Sequence, residues 1–149
     1  MVTRAFAVWI VAAALAACDM GPKSAAGFRL PDGDAERGQQ SFVGLGCHSC
    51  HRVEGVDIPE PLTAGPVRVT LGGDVIRIKT YGELVSSVIN PSHRIAPHAG
   101  PDAVTEEGES VMRVYNEVMT VQQLIDLVAF LQSHYRVVPP EYTYPRYGY

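Results

Sequence analysis

The sequence predicts a mostly α-helical domain of about 110 residues, a common size for a single domain, with a small β-hairpin inserted between its helices. Three observations carry that expectation. Thr80 with Glu83, and Thr120 with Gln123, form two capping boxes, each ahead of a run with helical apolar spacing. Asp34 stands as an N-cap before a third helix. Between the first helix and the second, Val67, Val69 and Leu71 alternate, Gly72-Gly73 offers a two-residue turn, and Ile76 and Ile78 alternate again.

Residues 1–17 read as a targeting segment. Arg4 gives a positive start. The apolar run from Ala5 to Ala17 is shorter than the ~20 residues of a membrane-spanning helix, but it suits the core of a signal peptide. It ends Leu15-Ala16-Ala17-Cys18, which resembles the bacterial lipoprotein box. That resemblance implies cleavage before Cys18 and lipid on that cysteine. Several acyl chains on one residue exceed the two-signal threshold for stable anchoring, so the protein is expected on the periplasmic side of a bacterial membrane. An ordinary secretory signal with a chance cysteine is the alternative. Residues 18–31, with Gly21, Pro22, Ser24, Gly27 and Pro31, have the composition of a linker, and the folded domain is expected over 32–136.

The first helix should run from its Asp34 cap to about Val43, where Gly44 and Gly46 break it. Gly38 and Phe42, four residues apart, share one face. The middle helix spans Tyr81 to Ile89, with Tyr81, Leu84, Val85 and Val88 on its apolar face, and Asn90-Pro91 ends it. The last helix follows Thr120 and places Val121, Leu124, Ile125, Val128, Phe130 and Leu131 at helical spacing. Residues 137–149 form a tail rich in tyrosine and proline, including Tyr142, Tyr144, Tyr147 and Tyr149. Tyrosine-rich segments are common at interfaces.

The chemistry concentrates in Gly46-Cys47-His48-Ser49-Cys50-His51. C-x-x-C-H is the attachment signature of c-type haem. Two thiols at fixed spacing add across two vinyl groups of one porphyrin, and the adjacent His51 becomes the proximal iron ligand. A thioredoxin-like redox pair would need a βαβ setting, and none is visible. A zinc site would need two more ligands, for which His93 and His98 are at poor spacing. The pair Cys47 and Cys50, with Cys18 set apart for lipid, also accounts for an odd total of three cysteines. A net charge of −4 and the absence of a basic stripe argue against nucleic-acid binding.

On these residues the chain resembles the class I cytochromes c over roughly Asp32 to Tyr135. Beyond C-x-x-C-H, the likeness rests on the flanking helices and a late methionine. It implies three or four helices around one covalent haem c. It also implies that Gly38 and Phe42 pack against Phe130, and that a methionine from the loop ahead of the last helix is the sixth ligand. Met112 occupies that loop at the family's distance. Met119, just before the cap, suits packing on Leu124. A histidine at the sixth position, His93 or His98, would replace the methionine, or the iron would stay open there. Two departures stand out: the hairpin, which small members usually lack, and Arg113 where proline often follows the ligand. Arg77, Lys79 and Arg94 are candidates to hold haem propionates, with Tyr81 as a hydrogen-bond donor.

The expected function is single-electron transfer between redox partner proteins, by a carrier tethered to the membrane and without a small-molecule substrate. A cytochrome subunit of a larger oxidoreductase is the alternative, motivated by the hairpin and the tail. Direct enzymatic action would need an open iron position.

Overall fold

A computed structural model describes residues 28, 30–77, 79–96 and 100–138. The targeting segment, Cys18, His98 and the tail beyond Val138 lie outside the described residues. One compact unit begins at Pro31 and contains every element below. Among the described residues, no helix is long and apolar enough to cross a membrane.

Three helices form the frame. Helix α1 (Ala35–Gly44) starts at Asp34, whose side chain accepts from the Arg37 amide at 2.9 Å. Helix α2 (Tyr81–Ile89) and helix α3 (Val121–Ser133) each close a complete capping box, Thr80 with Glu83 and Thr120 with Gln123. In each box two of the orphan amides at the helix start find a partner.

Helices α1 and α3 pack closely because Gly38 has no side chain. A Cβ there would collide with the Asp126 carbonyl and approach Phe130 Cβ to 2.6 Å. The space is filled by Phe42 and Phe130, each 1% exposed, with ring centroids 5.7 Å apart in an edge-to-face arrangement. Such aromatic pairs contribute about 0.5–1.5 kcal/mol beyond their area burial. Leu84, Val85 and Val88 of α2 bury their face, as the apolar spacing predicts.

The alternating stretch is strand only in part and does not form the expected hairpin: Val69 and Leu71 lie in a strand, Val67 and Ile76 do not, and Gly73 belongs to a strand, not to a turn. Strands β2 (Val69–Leu71) and β3 (Gly73–Val75) do not pair with each other. Strand β2 runs parallel to β1 (His51–Val53), with His51 opposite Val69. Strand β3 runs parallel to β4 (Tyr135–Val137), with Gly73 opposite Tyr135. Gly72 and Gly73 both have positive φ, 82° and 79°. A Cβ on Gly72 would come within 2.8 Å of the His134 carbonyl. The glycine pair is therefore a passing point that hands the chain from one ladder to the other, not a two-residue loop. The expected small sheet content is present, in two two-stranded parallel ladders.

Candidate cofactor site

The C-x-x-C-H stretch is shaped by its neighbours on both sides. Leu45 caps α1, and Gly46 turns into the left-handed region at φ 76°. A short 3₁₀ turn, Cys47–Ser49, then brings the Cys50 amide to the Cys47 carbonyl at 3.2 Å. Strand β2 fixes the far end, where the Val69 amide donates to the Cys50 carbonyl at 2.8 Å. Gly65 closes over the turn, its amide donating to the Ser49 carbonyl at 2.9 Å. The place a Cβ would take on Gly65 is filled by Cys50 Sγ.

These residues line a cavity of about 710 Å³, within the range of small-molecule and cofactor sites. Phe42 of α1, Leu84 and Val88 of α2, Leu127 and Leu131 of α3, and Val69 and Leu71 of β2 supply apolar wall. Both thiols are free, and both line the cavity together with His51. Burial pushes the Cys47 thiol up to about 11, only partly opposed by its own backbone and by the neighbouring Tyr115 side chain. That is the reverse of the lowered thiol of a redox C-x-x-C pair. Among the described residues no three His, Cys, Asp or Glu side chains converge as metal ligands, and His93 does not line the cavity.

His51 carries the strongest sign of an intended partner. Burial lowers its pKa, outweighing the opposite influence of the Val69 backbone, and Lys79 adds to the lowering. Among the described residues its Nδ1 is buried without a hydrogen-bond partner, as is that of His48. A neutral imidazole on the wall of an apolar cavity, beside two free thiols, suits covalent haem: thiols for the vinyl carbons, imidazole nitrogen for the iron.

Met112 and Met119 both line the cavity. Met112 ends a tightly tied loop. The Val111 amide donates to the Ala103 carbonyl at 3.1 Å, the Ser110 amide to Ser92 Oγ at 3.0 Å, and the Met112 amide to Ser110 Oγ at 3.2 Å. Met119 is held by its amide to the Tyr115 carbonyl at 2.9 Å. Of the propionate candidates, Lys79 and Arg94 line the cavity; Arg77 and Tyr81 do not. Tyr115, only 8% exposed and set against Cys47, is a wall residue with no signal in the sequence. It lies in a segment without periodicity.

Residues 35–134 match the family described as Cytochrome c. No curated protein and no solved structure matches the chain. The match spans all three helices, the C-x-x-C-H turn and the cavity they line, and the chain belongs to the cytochrome c family.

Proposed function

With membership of the cytochrome c family as the premise, we propose that this chain is a monohaem electron carrier of the class I type, lipid-anchored through Cys18 at the periplasmic face of a bacterial membrane. The observation that carries the haem reading is the convergence of Cys47, Cys50 and the unpaired His51 on one apolar cavity. Haem, when bound, supplies a one-electron ferric/ferrous couple. Cys47 and Cys50 would fasten it, His51 and Met112 would be its iron ligands, and the α2 and α3 wall would keep water away. Two protein ligands on the iron would favour electron transfer over substrate chemistry.

Haem staining of denatured protein tests the attachment. Wild type should retain haem, and the Cys47→Ala/Cys50→Ala double variant should lose all of it; haem surviving denaturation of the double variant overturns the assignment. For the anchor, palmitate labelling should disappear in Cys18→Ser. Unchanged labelling would sink the lipoprotein reading while leaving the haem reading intact.

A cytochrome subunit of a larger oxidoreductase is the second reading. It is favoured by Ile76 and Val137, which are 77% and 50% exposed at and just beyond the β3–β4 ladder. Pull-down from native membranes separates the two, because only a subunit brings a stoichiometric partner.

A further inference from the structure

The cavity wall is biased in charge. The chain has 16 acidic and 12 basic residues, yet among the described residues no Asp or Glu lines the cavity. Lys79, Arg94 and Arg113 do. An apolar cavity that meets only cations suits a ligand with an apolar body and carboxylates on its edge, because a carboxylate leaving water needs charged donors.

The three cations occupy two places. Arg113 belongs to the thiol wall: its guanidinium lies 5.3 Å from the ring centroid of Tyr115, and Tyr115 adjoins Cys47. Lys79 immediately precedes the Thr80 cap of α2, and Arg94 reaches the same helix start through Glu83. Glu83 accepts from the Thr80 amide at 2.8 Å, next to Lys79, and its other oxygen lies 3.3 Å from Arg94 and 3.1 Å from Arg77. The Thr80 amide, with Arg77, holds the Glu83 carboxyl down to about 2, so it stays ionised and keeps Arg94 at the cavity rim. The N-terminal end of the α2 dipole adds to the positive potential there.

On the haem macrocycle the two propionates lie across the ring from the two vinyl-derived attachment carbons. Two of the three wall cations, Lys79 and Arg94, belong to the start of α2, where Glu83 fixes Arg94, and such a pair suits two carboxylates on one edge of a ligand. We propose that Lys79 and Arg94 clamp the haem propionates, with Glu83 as the positioning residue for Arg94. This rests on the haem reading under Proposed function. It narrows the sequence candidates to two and sets Arg77 and Tyr81 aside.

The test uses the haem-loaded protein. Ferric haem carries one more positive charge than ferrous, so neighbouring cations favour the reduced state. Arg94→Gln and Lys79→Gln should each shift the reduction equilibrium toward ferric by about two- to fivefold, the range for a solvent-exposed charge pair. Each should also shift the propionate bending band in resonance Raman spectra. Glu83→Gln keeps a capping-box acceptor but releases Arg94, so it should shift the propionate band as Arg94→Gln does. Arg94→Lys should restore most of the wild-type behaviour. An unchanged equilibrium and an unchanged band in both Gln variants, with haem still attached, overturns the clamp alone. A wild-type protein without covalent haem overturns the haem reading and the clamp with it.

Discussion

The α1–α3 crossing and the cavity beneath it are built on opposite principles. At the crossing every group is satisfied by the chain itself. Gly38 lets the backbones meet, Phe42 and Phe130 fill the gap, and the buried Asp126 accepts from the Asp34 amide at 2.8 Å, from Arg37 Nε at 2.9 Å and from Gln122 at 3.0 Å. Around the cavity the chain leaves needs unmet: among the described residues a His51 Nδ1 without a partner, two free half-buried thiols, and facing apolar walls. One region is finished by folding. The other is shaped for something the chain does not contain, and damage to the two should read out differently.

The largest effect is expected at the crossing. Phe130→Ala should cost about 3–5 kcal/mol of stability, as aromatic truncation in a packed core does. Gly38→Ala should destabilise as well, although Ala is favoured over Gly by about 1 kcal/mol inside a helix. The added Cβ would strike the Asp126 carbonyl, which is backbone and can yield only if the helices part. Denaturant unfolding of the haem-loaded protein measures both. A Gly38→Ala midpoint at or above wild type would mean that the crossing is looser than described.

Gly65→Ala makes the contrasting break. Its Cβ would meet Cys50 Sγ at the cavity and nothing at the crossing. The fold should survive while attachment at Cys50 fails in part, leaving a population with a single thioether at Cys47. Mass spectrometry of haem peptides resolves the two populations. Full double attachment would show that the Cys50 side chain has room to move.

Met112→Ala should abolish the weak near-infrared band of methionine-ligated ferric haem, and Met119→Ala should retain it. The loop ending at Met112 is tied to Ala103 and Ser92, so its side chain reaches the cavity from a fixed backbone. The reverse outcome would transfer the ligand role to Met119.

The crossing was the more legible region, since its signals are local. Capping boxes, the Asp34 cap and the Gly38–Phe42 spacing each lie within a few residues, and all three helices follow from them. The C-x-x-C-H turn was legible for the same reason. Strand pairing was not. Alternation around Val69 and Ile76 reports an extended chain but not its partner, and the partners His51–Val53 and Tyr135–Val137 are too short to show a period of their own. Tyr115 and the Asp126–Arg37 pair were missed because their roles arise from contacts between distant segments. The one available hint was an acid set among the apolar positions of α3.

Asp126 gives the smallest and most specific prediction. It is 2% exposed, and the Arg37 guanidinium, with the Asp34 amide, holds its carboxyl below the usual carboxylate range. A carboxyl whose pKa is depressed on folding contributes stability that is fully present above the unfolded value. That stability is lost as pH falls through the folded one. Wild type should therefore lose stability on acidification below the ordinary carboxylate range, in part through this group. Asp126→Asn should start lower at neutral pH, since Arg37 loses its anionic partner, and should then fall less steeply. The comparison of unfolding midpoints at neutral and acid pH decides it. Equal losses in both proteins would mean that the pair contributes no pH-dependent stability and that the crossing rests on Gly38, Phe42 and Phe130 alone. A narrowed gap would show that charge joins shape in holding α1 on α3. Haem content should be unchanged in that variant, because Asp126 does not line the cavity.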